Sequence, residues 1–130
     1  MANPYTITNL NEVEDSAQKF GFGHVGEARF ANGDLETEQT GVSYHHVKPN
    51  TRQAFAHRHE GAEEVYLVVR GSGRVKLDDE IVDLVEYDAV RISPGVVHCL
   101  EGGPDGLEVV MFGPRREDDR GEMFDDWWTD

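Results

Sequence analysis

Cysteine, basic residues and long apolar runs are all scarce in this chain of 130 residues. The single cysteine, Cys99, can form no intrachain disulfide, which indicates a reducing compartment, and we expect its thiol to pack in the protein. Lys and Arg number 12 against 26 Asp and Glu, which gives a net charge of -14. Such a surface repels phosphate backbones and anionic lipids, so neither nucleic acid nor a membrane is an expected partner.

The lack of apolar runs also bears on location and size. Charged side chains interrupt the N-terminal region, so we expect no signal peptide, and no later stretch is apolar enough to span a bilayer. A chain of 130 residues is long enough for one hydrophobic core and too short for two ordinary domains. We therefore expect a cytoplasmic protein with a single domain.

What the sequence does contain is three histidines and a glutamate at informative positions. Successive side chains of a β-strand alternate between its faces, so His57 and His59 project from the same face. The β-branched run 64–69 predicts a strand that returns beside the first, which would turn Glu64 towards the histidines. His98 follows a Pro-Gly turn and opens another predicted strand. Three imidazoles and one carboxylate can then converge on one divalent metal.

The rest of the sequence predicts short strands separated by turns. Gly71 and Gly73 predict one tight turn, and the glycine- and proline-rich stretch 102–106 predicts another. A short helix is predicted near residues 11–20, and the middle of the chain has no helical pattern. These features are typical of an all-β sandwich or barrel. The predicted strands are 28–31, 41–48, 64–69, 74–77, 81–86, 89–92, 97–100 and 107–112.

The spacing of the candidate ligands resembles the first motif of the cupin superfamily of small β-barrels. That motif is a glycine, five residues, His-x-His, three or four residues, Glu, six residues and a glycine. His57, His59, Glu64 and Gly71 match its later positions. Its opening glycine falls at Thr51, next to an asparagine that can adopt the left-handed conformation.

The second cupin motif is also recognisable, with departures in its turns. It reads glycine, five residues, Pro-x-Gly, two residues, His, three residues and Asn, and here Gly95 and His98 match it. Pro94 stands one place late, Tyr87 replaces the leading glycine, and Gly102 replaces the asparagine. These departures affect loop geometry more than the ligands.

The resemblance implies a cupin jelly-roll β-barrel, which we assign to residues 26–113. An N-terminal arm (1–25) precedes it, and an acidic, aromatic C-terminal tail (114–130) follows it. Trp127 and Trp128 have too much apolar area to remain in water, since one aromatic side chain buries roughly 150 to 250 Å². They pack either on the chain's own barrel or on a partner subunit, and the second alternative fits the homodimers that cupins often form.

The metal ligands that the resemblance implies are His57, His59, Glu64 and His98. Their imidazole and carboxylate groups suit a divalent transition metal, which leaves Fe, Mn, Ni, Co, Cu and Zn open. Four protein ligands on an octahedral ion leave two positions for a small molecule. We interpret the chain as a metal-dependent enzyme, oxygenase- or isomerase-like, that acts on a small organic substrate. The alternative is a non-catalytic protein that binds or senses a small ligand.

Further residues are candidates for the side chains that line the pocket. If Glu64 faces inward, so does Tyr66, which is either a catalytic acid, base or orienting hydroxyl or simply part of the core. One of His45 and His46 must also face inward, but the bend at residues 48–51 prevents periodicity from deciding which. Most other pocket walls are predicted to be apolar. A phosphate-bearing substrate would require a basic side chain to face inward, and the candidates are Arg74, Lys76 and Arg91.

Overall fold

A computed structural model of the chain describes residues 4–115 and 121–129. Strands dominate these ranges, which confirms the predicted all-β class, and the helices in them are single short turns. The strands are β1 (Gly26–Phe30), β2 (Thr40–Val47), β3 (Phe55–Arg58), β4 (Glu64–Leu77), β5 (Glu80–Leu84), β6 (Ala89–Ile92), β7 (His98–Pro114) and β8 (Glu122–Asp125). The helices are a 3-10 turn (Leu10–Glu12), α1 (Ser16–Lys19) and α2 (Asn32–Leu35). None of these helices is long and apolar enough to cross a membrane.

Two long strands, β4 and β7, organise the sheet. Antiparallel neighbours follow the order β1-β2-β7-β3-β8, and β4 pairs with β5, β6 and β7. Two irregularities in β4 divide the β4–β7 ladder, so that residues 65–71 pair with 107–112 and residues 73–77 pair with 98–102. Because strands bend at such bulges, the sheet curls around an interior instead of lying flat.

The turns predicted at Gly71–Gly73 and at residues 102–106 are wrong, because both positions lie inside continuous strands. The glycines have another role there. A Cβ on Gly71 would lie 2.1 Å from the carbonyl oxygen of Gly106, and a Cβ on Gly73 would lie 2.1 Å from that of Glu101. These glycines therefore permit the close backbone approach at which β4 and β7 bend together.

The inner face of the curled sheet contains the main hydrophobic core. Tyr66 and Val68 of β4 and Leu107 and Val109 of β7 are at most 1% exposed. Tyr66 stands two residues after Glu64 and so shares its face of β4, which places the core directly beside the candidate site. The other buried members of this core are Val47, Val75, Leu84, Ile92 and Leu100.

A second, smaller cluster lies on the opposite face of β3 and β7. Ala56, Cys99 and Trp128 pack together there, and partly buried Trp127 contacts them. The packing role predicted for Cys99 is confirmed, and burial raises the pKa of its thiol to about 11. Residues 121–129 of the tail thus dock on the chain's own sheet, which is the intrachain alternative of the two considered for the tryptophans. The remaining tail residues 116–120 and 130 lie outside the described part of the chain.

The N-terminal region contains two short helical pieces where the sequence predicts one helix across residues 11–20. Asp15 separates them, because it adopts an extended conformation with φ -81° and ψ 102°. Its carboxylate accepts hydrogen bonds from the backbone N–H groups of Ala17 and Ala28, each at 3.0 Å. The same side chain therefore caps α1 and ties the arm to β1, which a continuous helix would prevent.

Candidate metal centre

The candidate centre is built where three strands bring imidazoles around one carboxylate. His57 lies in β3 and His59 just after it, while His98 begins β7 and stands opposite His57 in the ladder. The ring centroids of His57 and His98 are 4.2 Å apart. Oε1 of Glu64 lies 3.8 Å from Nε2 of His57, 3.5 Å from Nε2 of His59 and 3.4 Å from Nε2 of His98. One carboxylate oxygen is thus shared by three imidazole nitrogens.

The three side chains that converge most tightly are His57, Glu64 and His98. One ligand atom from each lies within 4.8 Å of the others. His59 is not in this tighter group, although its Nε2 approaches Glu64. The structure therefore brings together three of the four predicted ligands and places the fourth beside their carboxylate.

The electrostatics of Glu64 suit a cation site. Its side chain is buried, with the residue 4% exposed, and among the described residues its ion-pair partners are imidazoles alone. Burial acts to raise the pKa of this carboxyl, but a hydrogen bond with His98 and electrostatic interactions with the three imidazoles outweigh burial and lower the pKa. Glu64 therefore presents a negative charge to the space between the histidines.

Two of the imidazoles, His98 and His57, are placed so that a ring nitrogen faces the site. Nδ1 of His98 lies 3.0 Å from the carbonyl oxygen of Val96, and because a carbonyl only accepts hydrogen bonds, Nδ1 carries the proton. Its Nε2 faces Glu64, with Oε1 3.4 Å away. Burial, with a further contribution from His98, lowers the pKa of His57 to about 3, so the His57 ring is neutral at pH 7. Imidazole nitrogens and a carboxylate oxygen fit a divalent transition metal.

Tyr66 lies next to this centre. It is 1% exposed, and its hydroxyl oxygen is 3.4 Å from Nε2 of His98. Burial raises the pKa of its phenol well above the ordinary value, so the hydroxyl is protonated at neutral pH. The residue is part of the core and also presents its hydroxyl to the site, and its catalytic role stays a prediction.

His45 is the imidazole of β2 that faces the interior, which the sequence alone could not decide. Its Nε2 lies 2.9 Å from the hydroxyl oxygen of Ser43, and its ring contacts that of Tyr66 with centroids 6.3 Å apart. His46 faces outward, with Nδ1 3.2 Å from a carboxylate oxygen of Glu27. The buried Ser43–His45 pair is a polar neighbour of the site that the sequence analysis did not assign, and only the β2–β7 register reveals it.

The basic residues considered for phosphate binding all face away from the site. Arg74 pairs with Glu101 at 2.7 Å, the ammonium of Lys76 lies 4.8 Å from the ring of Trp127, and Arg91 donates to Ser93 at 2.6 Å. A surface depression of about 580 Å³ beside Arg74 contains none of the four predicted ligands. In the described part of the chain, Glu64 has the imidazoles, Tyr66 and the hydrophobic core on its side of the sheet, and the three basic side chains have their partners elsewhere.

Two of the motif departures are visible as backbone conformations. Asn50, beside the position of the missing first glycine, has φ 54°, and Tyr87, in place of the second motif's leading glycine, has φ 72°. Gly95 has φ 87° in the turn before His98. The chain thus keeps the left-handed positions near both motifs even where a side chain replaces glycine.

Comparison with protein families supports the same interpretation. Residues 43–112 match the family model described as Cupin domain. This range includes all four predicted ligands and covers more than half of the 130-residue chain. No curated protein matches the sequence at a significant level.

Solved structures share the fold at low sequence identity. A cupin protein from Bacteroides fragilis aligns with a TM-score of 0.71 and 18% identity, over 99% of each chain. KdgF from Halomonas sp. aligns with a TM-score of 0.64 and 20% identity, over 90% of this chain and 98% of its own. An oxalate decarboxylase from Bacillus subtilis aligns with a TM-score of 0.68 and 20% identity, over 92% of this chain and 32% of its own. This chain spans about one third of that enzyme.

Proposed function

Because the chain belongs to the cupin family, we propose that it binds a divalent transition metal on His57, His59, Glu64 and His98 and acts on a small organic molecule there. The observation that supports this most directly is the approach of three imidazole Nε2 atoms to one carboxylate oxygen, at 3.4 to 3.8 Å. A bound metal would supply Lewis-acid or redox chemistry at this point.

The protein's own residues divide the remaining work. The Val96 carbonyl orients His98, and buried Glu64 provides the negative charge that attracts a cation. The Tyr66 hydroxyl, 3.4 Å from Nε2 of His98, is placed to donate a hydrogen bond to an oxygen of a molecule that enters the site. Apolar walls exclude water from that molecule's other parts.

The lining also supports a class of substrate. Within residues 4–115 and 121–129, Arg74, Lys76 and Arg91 face outward, so no candidate remains to neutralise a phosphate. Partly apolar molecules with a chelating oxygen fit the surroundings of Glu64, Tyr66 and the core. The proposed activity is therefore oxygenase- or isomerase-like chemistry on such a compound.

Elemental analysis tests the proposal first. Protein purified without chelators or nickel affinity resin is expected to hold near-stoichiometric metal, and a His57→Ala, His59→Ala double variant is expected to lose it. His46→Ala, which changes an outward imidazole of β2, is the matched control and keeps the metal. Absence of metal after reconstitution with Fe, Mn, Ni, Co, Cu and Zn in turn contradicts the proposal.

Turnover is then measured with a panel of small chelating compounds. Oxalate belongs in the panel because one structural neighbour is an oxalate decarboxylase. Turnover that disappears in His98→Ala supports an enzyme. Metal-dependent binding of a compound without turnover supports a receptor for a small ligand instead.

A further inference from the structure

We propose that the C-terminal strap, defined as residues 121–129, is a positioning element of the metal site and that Arg52 and Trp128 clamp it in place. The inference rests on the proposed metal function, because the residues that the strap positions are His57 and His59. It assigns a role to a segment that the family model, which ends at residue 112, does not include.

The strap completes the hydrogen bonding of the strand that contains His57. Strand β8 pairs with all four residues of β3, from Phe55 opposite Asp125 to Arg58 opposite Glu122. On its other side β3 pairs with β7 at a single position, His57 opposite His98. Most of the ladder that fixes the backbone of β3 is therefore supplied by the strap.

The strap also contacts His59, the ligand beyond the end of β3. A Cβ built on Gly121 would lie 3.2 Å from Cε1 and 3.4 Å from Nδ1 of His59, and 3.2 Å from the carbonyl oxygen of Arg58. Gly121 has φ +78°, a conformation that glycine adopts without strain. The bare backbone of Gly121 therefore lies against the imidazole ring and limits where that ring can move.

Trp128 anchors the strap on the face of β3 opposite the site. It is 7% exposed and packs on Ala56 and Cys99, which are the neighbours in sequence of His57 and His98. Alternation along each strand puts the tryptophan under one face and the two imidazoles on the other. Because Ala56 and Cys99 are adjacent in sequence to His57 and His98, loss of this packing is expected to shift the backbone of these two ligands.

Arg52 fixes Trp128 in place through a ring contact and a hydrogen bond. Its guanidinium carbon lies 4.3 Å from the centroid of the Trp128 ring, and Nη1 donates to the carbonyl oxygen of Trp128 at 2.6 Å. Nε of Arg52 and Nε of Arg74 each donate to one carboxylate oxygen of Glu101 at 2.7 Å. A planar guanidinium that stacks and donates in several directions is fixed more firmly than a lysine would be.

The test measures affinity for Co²⁺ or Zn²⁺ by competition with a chelating dye, together with the Co²⁺ absorption spectrum, which reports ligand geometry. Trp128→Ala is expected to weaken affinity by about 10- to 100-fold, the range seen when a residue that orients a ligand is lost. Arg52→Lys is expected to change affinity in the same direction by less, and both variants are expected to alter the Co²⁺ spectrum.

A control separates positioning from a general loss of stability. Val13→Ala removes buried apolar volume within the N-terminal arm, where Val13 is 2% exposed, and is expected to lower the urea midpoint while leaving affinity and spectrum unchanged. Folded Trp128→Ala protein that binds Co²⁺ as tightly as wild type, with the same spectrum, overturns the inference.

Failure of the proposed function gives a different result. In that case wild-type protein itself takes up no metal, whatever the state of the strap. Amide exchange at residues 55–59 then still tests the strap's hold on β3. Faster exchange there in Trp128→Ala than in Val13→Ala supports the hold, and equal exchange contradicts it.

Discussion

The hydroxyl oxygen of Tyr66 lies 3.4 Å from Nε2 of His98, the nitrogen that faces Glu64. A side chain of the main core therefore ends beside the candidate metal ligands. The same strand, β4, provides both Glu64 and Tyr66, because residues two apart share a face. Any change that moves this strand affects the carboxylate and the hydroxyl together.

We predict that Tyr66→Phe retains the metal and loses activity. The ring continues to fill the core, while the hydrogen bond to a bound molecule disappears, so kcat/KM for a substrate found in the panel should fall about tenfold or more. Metal content and kcat/KM are measured on the same preparation. Full activity in Tyr66→Phe would show that the residue only packs.

Glu64→Gln is predicted to weaken metal binding by at least about tenfold, since a neutral amide replaces the site's negative charge. In metal-free protein at neutral pH the same change should also lower stability, because the interactions of the carboxylate with the imidazoles outweigh its desolvation. Dye competition and urea unfolding measure the two effects. Glu63→Gln is the matched control: this neighbouring carboxylate is exposed and lies 3.7 Å from Arg91, so its loss should leave metal affinity unchanged.

The four candidate ligands could be proposed from the sequence because their arrangement depends on local rules. Alternation within one strand puts His57 and His59 on one face, and the Pro-Gly turn before His98 is legible in the sequence. Local rules do not predict that these residues meet in space, because that depends on the fold. The cupin resemblance supplied that expectation. The family match confirms the family, and the structure groups His57, Glu64 and His98, while the full ligand set stays a prediction.

Other features depend on register between distant strands, which no local pattern reports. His45 is buried because residue 45 pairs with Val109, whereas the bend before β3 breaks the phase that would have identified it. Gly71 and Gly73 were predicted to form a turn because glycine permits both a chain reversal and a close approach of two backbones. The pairing of β8 with β3 joins segments about 65 residues apart in the sequence. Strand propensity is a local property, so it cannot predict which distant segments pair.

His45 should make the metal-free protein less stable at acid pH. Burial lowers the pKa of His45 from 6.5 to about 4 in the folded chain, so between these values the unfolded state binds more protons. Stability is therefore expected to fall as the pH decreases from 7 to 5, with His45 contributing about 2 kcal/mol of that fall. Urea unfolding of metal-free wild type and His45→Gln at both pH values measures the difference, since glutamine can keep a hydrogen bond to Ser43.

A fall of the same size in wild type and His45→Gln would assign the pH dependence to other groups, with His57 the first candidate because its pKa is also lowered, to about 3. His46→Gln is the control for surface imidazoles. Its ring faces outward beside Glu27, and its replacement should not reduce the loss of stability between pH 7 and 5.

The last prediction concerns Tyr87, which adopts φ 72° and is 77% exposed. A left-handed conformation costs a non-glycine residue roughly 1 to 2 kcal/mol, while glycine adds roughly 0.5 to 1 kcal/mol of unfolded-state entropy. Tyr87→Gly should therefore stabilise the protein by about 0.5 kcal/mol, and Tyr87→Ala, which keeps the Cβ, should not.

Thermal unfolding of the two variants separates backbone strain from loss of the aromatic ring, because both remove the ring and only glycine removes the Cβ. A midpoint of Tyr87→Gly that is about 2 °C above that of wild type, with Tyr87→Ala at or below wild type, supports the strain argument. If both variants are less stable than wild type, the tyrosine ring contributes more through its contacts than its φ angle costs. Tyr87 would then be a stabilising residue of this turn, whose backbone N–H donates to the carbonyl oxygen of Val68 in β4 at 2.9 Å.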